Sequence, residues 1–138
     1  MSMKKTLTIA VDFDGTIVEH EYPEIGKELP FAIHSLKALQ AKGHRIILWT
    51  FRSGKSLEEA VKFCEEKGLE FYAVNKNYPE EKFDQSTSRK ILADLYIDDR
   101  NLGGLPPWNE IYHTIQPEEA PQQEKQTEKW SWLRSLKK

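Results

Sequence analysis

The sequence feature that most constrains the fold is the stretch from Leu7 to Thr16, LTIAVDFDGT. Its apolar part is typical of a buried strand, and it ends in two aspartates, Asp12 and Asp14, followed by a glycine that can break the strand. Because side chains alternate along a strand, the two carboxylates start on one face and can converge on one point. Two buried carboxylates repel each other unless a cation or a shared proton compensates their charge. The stretch therefore predicts a divalent-metal site at a strand end, although Asp-Gly alone is also typical of a surface turn.

The composition is that of one ordinary domain. The chain has 138 residues, and its 38% of hydrophobic residues is enough for a single core. The net charge of -2, from 20 basic and 22 acidic residues, gives no indication of a nucleic-acid partner. The single cysteine, Cys64, excludes an internal disulfide and a cysteine-rich zinc site. The first apolar run is too short for a signal peptide or a membrane span, so we expect a cytoplasmic protein without a membrane partner.

Strands and helices are predicted to alternate along the chain. The predicted elements after the first strand are a helix from Pro30 to Gly43, a strand over 44–50, a helix from Ser56 to Lys67, strands at 71–74 and 95–97, and a helix over 107–115. The second helix has a capping box of Ser56 and Glu59 and a stop at Gly68. This order is typical of an α/β fold built as a three-layer, doubly wound parallel sheet with helices on both faces.

Residues 1–115 are thus expected to form one domain, followed by two segments of different composition. Residues 116–129 are rich in Pro, Glu and Gln and read as a linker. The last nine residues, 130–138, are WSWLRSLKK and bring back apolar side chains. This tail could dock on the domain, on a partner, or on a second subunit to form a homodimer, and a weakly ordered terminus is the alternative.

Polar residues follow each of the main predicted strands. Asp12 and Asp14 follow the first strand, Thr50 ends the second, and Asp98 and Asp99 follow the last. Ligands of parallel α/β sheets bind at the carboxyl ends of the strands. We therefore expect one edge of the sheet to gather these residues into a site.

This combination resembles the haloacid dehalogenase superfamily of phosphotransferases and phosphatases. The resemblance rests on DFDGT at the first strand, Thr50 at the end of the second, a lysine further on and IDD at the last strand, and it covers residues 7–99. It implies a Rossmann-like fold, and residues 15–30 leave room for a flap but for no large cap domain.

The resemblance implies a Mg²⁺-dependent phosphomonoester hydrolase that works through an aspartyl-phosphate intermediate. Asp12 matches the nucleophile and Asp14 the general acid and base. The Mg²⁺ ligands would be Asp12, the main-chain carbonyl of Asp14, and Asp98, with Asp99 bound directly or through water. A phosphotransferase to an acceptor other than water, and a non-catalytic metal-binding or regulatory module of the same fold, stay open as alternatives. The substrate would be a phosphorylated compound whose size and identity the sequence does not predict.

The resemblance also implies a set of phosphate-binding groups. Thr50 matches the phosphate-binding hydroxyl, helped by the backbone N–H groups of Phe13 and Phe51. A strand-end threonine that bonds its own backbone is the structural alternative for Thr50. Arg52 could donate to a phosphate oxygen or face water.

The basic residues near the acid pair leave one choice open. Lys90 matches the phosphate-binding lysine of compact relatives, but a continuous strand from Lys90 to Asp98 would place it about 26 Å away, at roughly 3.3 Å per residue. Lys90 therefore needs a doubled-back segment before a short strand. Lys76, directly after the third strand, is the alternative, and Arg100 is expected to pair with Asp99.

Overall fold

The structure, a computed structural model, describes residues 5–119, which form four strands and three helices. In chain order these are β1 (Thr8–Val11), α1 (Ala32–Ala41), β2 (Arg45–Leu48), α2 (Gly54–Glu66), β3 (Ala73–Val74), β4 (Leu95–Ile97) and α3 (Trp108–Ile115), followed by a short 3-10 helix (Pro117–Glu119). The predicted order of elements is confirmed. None of the helices in this part of the chain has the length and apolar composition that crossing a membrane requires.

The four strands form one parallel sheet in the order β3-β2-β1-β4, so the predicted α/β class is confirmed. Val11 at the end of β1 is in register with Leu48 of β2 and Ile97 of β4. Backbone bonds continue past these ends, because Asp12 N–H donates to Ile97 O (3.0 Å) and Trp49 N–H donates to Val11 O (2.9 Å). The residues that directly follow β1, β2 and β4 therefore start from one edge of the sheet.

The two faces of the sheet are covered differently. Alternate strand residues such as Ile9, Val11 and Leu48 belong to a core cluster that also contains the buried hydrophobic residues of all three helices. The strand residues of opposite orientation, Ala10 and Ile47 among them, pack in a second cluster with Ile91. Segment 75–94 contains no helix or strand, so this second face lacks the helix that the alternation of elements predicts.

The strand order explains this difference. The chain moves in one direction from β1 to β2 to β3, and right-handed crossovers then place α1 and α2 on the same face. From β3 it returns past β1 to reach β4, so the same handedness carries segment 75–94 over the other face. That segment is polar and contains Pro79, which disfavours a helix.

The start of α2 also differs from the prediction. The helix begins at Gly54 after Ser53, so the capping box of Ser56 and Glu59 is wrong. Ser56 lies inside the first turn, where its hydroxyl donates to the Ser53 carbonyl oxygen (2.9 Å). The predicted stop is near the observed end, since Gly68 has a φ of +89° that glycine adopts without strain. Most of the predicted linker, and the whole of the tail over 130–138, lie outside the described residues.

Candidate active site

Three aspartates converge at the carboxyl edge of the sheet. Asp12 follows β1, and Asp98 and Asp99 follow β4. One carboxylate oxygen from each of the three lies within 4.8 Å of the others, and all three residues are half-buried. Carboxylate oxygens at this spacing form a group that a hard divalent cation can bind.

Within residues 5–119, none of the three aspartates of this cluster forms an ion pair with a basic side chain. Burial raises the pKa of Asp12 from its ordinary 3.8 to about 7. The backbone N–H of Phe13 opposes that shift, whereas the negative charges of Asp98 and Asp99 add to it. A cation bound among the three carboxylates would remove the cause of the repulsion.

Thr16 connects the two arms of the cluster, a role that sequence reasoning did not assign to it. Its side chain is fully buried, and its hydroxyl accepts the Asp99 N–H (3.0 Å). The same hydroxyl lies 3.3 Å from a carboxylate oxygen of Asp12 and 3.3 Å from one of Asp99, so it can donate to either. The Thr16 carbonyl accepts the indole N–H of Trp108 (2.8 Å), which fixes α3 against this turn. The sequence signal was the hydroxyl residue directly after Asp-x-Asp-Gly.

Gly15 makes the close approach of Asp99 to this turn feasible. Its φ of +84° lies in the left-handed region, which glycine adopts freely. A Cβ atom at this position would collide with the carboxylate of Asp99. The glycine of the motif is thus needed for its backbone conformation and for its lack of a side chain.

The carboxylate of Asp14 does not join the other three, in contrast to the predicted convergence of Asp12 and Asp14. It forms a bidentate ion pair with Arg52, from Nε to Oδ2 (2.8 Å) and from Nη2 to Oδ1 (2.7 Å). Both side chains are at most 1% exposed. The side chain turns away because Gly15 redirects the backbone after Asp14 and Arg52 offers a matching pair of donors.

The sequence left two alternatives for Arg52, binding a phosphate or facing water, and the structure shows neither. The side chain is buried, and none of its N–H groups is free for a phosphate. Its remaining three N–H groups donate to the carbonyl oxygens of Pro23 (3.2 Å), Glu24 (2.8 Å) and Ser56 (3.1 Å). With the two bonds to Asp14, all five guanidinium donors are used. The hydrogen bonds to Asp14 raise the pKa of Arg52 above its ordinary value. Arg52 therefore ties the loop after β1 to the start of α2.

A cavity of about 730 Å³ opens beside the acidic cluster. Its lining comprises Asp12, Asp14, His20, Trp49, Thr50, Phe51, Arg89, Lys90, Asp98 and Arg100. Lys90 is thus on the cavity wall, with its Nζ 5.1 Å from the centre of the Tyr96 ring. Lys76, the alternative lysine, is not among the lining residues.

Thr50 forms a local backbone bond and lies at the cavity, and its phosphate-binding role stays a prediction. Its hydroxyl accepts the N–H of Arg52 (3.1 Å), which is the local backbone bond of the structural alternative, while the residue still lines the cavity. Its own N–H donates to Asn75 (2.8 Å). The Phe51 side chain is 62% exposed at the cavity, and the Phe13 N–H interacts with the Asp12 carboxylate.

Arg100 forms no ion pair with Asp99 within residues 5–119, contrary to the prediction. Its side chain is exposed, and its backbone N–H donates to Asp98 Oδ1 (2.8 Å). The turn after β4 therefore orients Asp98 through the main chain, and it leaves the Arg100 guanidinium at the cavity.

Comparison with known proteins gives a structural relative but no activity. No protein-family model and no curated protein matches the chain. A solved structure, that of a conserved protein coded by a locus from Bacteroides thetaiotaomicron, is similar with 58% sequence identity and a TM-score of 0.78. The match covers 83% of this chain and 93% of that one. The chain therefore belongs to the same family as this conserved Bacteroides protein.

Proposed function

We propose that the chain is a Mg²⁺-dependent phosphomonoester hydrolase of the haloacid dehalogenase superfamily. The observation that carries the proposal is the convergence of Asp12, Asp98 and Asp99 beside a cavity whose wall includes Lys90. An acidic cluster binds the cation, and a neighbouring lysine offers a positive charge to a phosphate. Together they are suited to phosphoryl transfer, which depends mainly on positioning and charge compensation.

The donor set fits Mg²⁺. All three side chains offer hard oxygen ligands, and the negative charges of Asp98 and Asp99, which add to the effect of burial on the pKa of Asp12, attract a cation. Asp12, Asp98 and Asp99 would hold the ion, and the Thr16 hydroxyl would orient two of the three carboxylates. When bound, Mg²⁺ would supply charge neutralisation between the carboxylate nucleophile and the phosphate.

Asp12 is the nucleophile in this proposal. One of its carboxylate oxygens forms a bond to phosphorus while the bond from phosphorus to the leaving-group oxygen breaks, and the leaving oxygen takes up a proton. Water then loses a proton, attacks phosphorus and releases Asp12 with inorganic phosphate. The half-buried position of Asp12 at the cavity wall leaves it accessible to a phosphate group.

Asp14 is proposed to donate the first proton and accept the second, as the motif implies. In the structure both of its oxygens are bonded to Arg52. To act, Asp14 must exchange at least one of these bonds for the leaving-group oxygen or for water. Its place on the cavity wall makes this exchange a local movement.

The finer fold assignment belongs to the same proposal. The reversal of winding between β3 and β4 is the property that defines a doubly wound sheet. We assign segment 75–94 as the third layer, replacing the helix that usually lies there. This layer brings Lys90 to the carboxyl edge of the sheet.

Hydrolysis of p-nitrophenyl phosphate with and without Mg²⁺ tests the proposal. We expect Mg²⁺-dependent release of phosphate that is lost in Asp12→Asn. The matched control is Asp94→Asn, since Asp94 lies at the other end of β4, where it accepts the Thr8 N–H (2.9 Å). Activity that survives Asp12→Asn would contradict the proposed nucleophile.

The occupied carboxylate of Asp14 favours a second candidate, a metal-binding module without turnover. A site whose acid stays bonded to Arg52 would bind Mg²⁺ and phosphate but release no product. Calorimetric Mg²⁺ binding that depends on Asp12, together with no hydrolysis of any ester, would support this candidate over the hydrolase.

A further inference from the structure

The charged residues of the cavity wall divide into two groups. The acids are Asp12, Asp14 and Asp98, and the bases are Arg89, Lys90 and Arg100. Asp14 is already compensated by the buried guanidinium of Arg52, which does not line the cavity. Asp12 and Asp98 belong to the cation cluster. The three basic side chains are therefore available to interact with a ligand in the cavity.

In the proposed function, Lys90 and the cation cluster serve the transferred phosphate, which leaves Arg89 and Arg100 without an assigned role. Arg89 and Arg100 are both exposed, and neither forms an ion pair within the described residues. Arg89 rests on the ring of Phe83, 5.9 Å from its centre, which leaves its donors available. A guanidinium presents paired N–H donors that match a carboxylate or a phosphate.

The size and the aromatic wall of the cavity indicate a small molecule. About 730 Å³ is within the range of pockets that bind small ligands and far exceeds the need of one phosphate group. The exposed ring of Phe51 lies against Tyr22, with 4.8 Å between ring centres, and offers a flat apolar surface. A substrate can thus extend from the acidic cluster along this wall.

We infer that the substrate is a small phosphomonoester with a carboxylate as a second anionic group, which Arg89 and Arg100 bind. This inference rests on the proposed hydrolase function, because it names the substrate class of the same site.

Matched aryl phosphates test the inference. The 3- and 4-carboxyphenyl phosphates are compared with the corresponding carbamoylphenyl phosphates, which have the same shape without the charge. We expect kcat/KM to favour at least one carboxylate isomer by about tenfold, mainly through KM. Arg89→Gln and Arg100→Gln should each reduce this ratio several-fold. The ratio is compared between variants, so intrinsic reactivity differences cancel.

Arg45→Gln is the control. Arg45 is an exposed arginine at the opposite end of β2, where it lies over the ring of Tyr72, and its loss changes the net charge by the same amount. It should leave the ratio unchanged. A carboxylate preference that falls equally in Arg45→Gln would show a general field effect and overturn the inference.

Binding separates the inference from the proposed function. Calorimetry with Mg²⁺ present compares carboxybenzyl and carbamoylbenzyl phosphonates, which cannot be hydrolysed at phosphorus. Equal hydrolysis and equal binding of both series would overturn the second anion site and leave the hydrolase intact. Charge-selective binding that Arg89→Gln abolishes, without hydrolysis of any ester, would refute the hydrolase and support the anion site. Failure of both series to bind or react would overturn both.

Discussion

Replacement of Arg52 by methionine is expected to lower the free energy of unfolding by about 3–5 kcal/mol, the usual cost of removing one partner of a buried ion pair. Methionine fills much of the space of the aliphatic stem, so the lost charge dominates the effect. The variant leaves the Asp14 carboxylate, 1% exposed, without its two donors. It also removes the donors to Pro23, Glu24 and Ser56.

This loss is large on the scale of the whole protein. Domains of this size have about 5–15 kcal/mol of stability in total, so about a fifth or more would disappear. The corresponding fall in Tm is roughly 10–20 °C. Urea denaturation and differential scanning calorimetry measure the two quantities independently.

The surface pair of Lys67 and Glu28 provides the matched control. Its atoms are 3.9 Å apart, and its side chains are 43% and 29% exposed. Lys67→Met is therefore expected to cost less than about 1 kcal/mol. The double variant Arg52→Met with Asp14→Leu should be more stable than Arg52→Met alone, because no charge is left buried without a partner. An Arg52→Met penalty no larger than that of Lys67→Met would refute the reasoning.

Three further predictions concern the acidic cluster. Thr16→Val keeps the shape of the side chain but removes the hydroxyl that contacts Asp99. Calorimetry should therefore show that the variant binds Mg²⁺ about tenfold or more weakly than the original protein. Unchanged affinity would show that the hydroxyl does not orient the carboxylates. Gly15→Ala should lower both Tm and Mg²⁺ affinity, because the added Cβ collides with Asp99. The control is Gly104→Ala, which has a similar φ of +82° but open space around it and should lower only Tm. Equal Mg²⁺ affinities in the two variants would contradict the collision. Without metal, the pKa of Asp12 is about 7 in the folded protein and about 3.8, its ordinary value, in the unfolded chain. Protonation of Asp12 therefore stabilises the folded state fully below pH 3.8, and this stabilisation is lost as the pH rises to about 7. Unfolding in EDTA should show this fall between pH 5 and 7, and a slope that persists in Asp12→Asn would assign it to other groups.

The positions of the strand-end acids follow from the sequence because parallel register is a strong constraint. Once β1 and β4 are recognised as neighbouring buried strands, Asp12 and Asp98 must begin at the same edge. Only one residue of register error would turn the strands' apolar side chains to the wrong face. The hydrophobic pattern of the sequence is therefore enough to predict the sheet and the acidic cluster at its edge.

The ion pair of Asp14 and Arg52 could not be predicted from the sequence pattern. The two residues are 38 apart in sequence, and their meeting depends on the φ of +84° at Gly15 and on the course of the loop through Pro23 and Glu24. None of these features has a periodic sequence signal. Alternation along an ideal strand predicts the same face for Asp12 and Asp14, but the strand ends at Val11, so alternation no longer applies to Asp14.

Lys90 reaches the cavity because the chain doubles back before β4, and Tyr96 holds this turn. The Tyr96 hydroxyl donates to the Ile91 carbonyl oxygen (2.7 Å) and accepts the Ala93 N–H (3.2 Å). Its ring lies 5.1 Å from Lys90 Nζ and 5.4 Å from the ring of Trp49. An extended segment would have placed the lysine about 26 Å from the acids, at roughly 3.3 Å per residue. Because β4 has only three residues and its central tyrosine fixes the preceding turn, a lysine eight positions before the acid pair can lie on the same cavity wall.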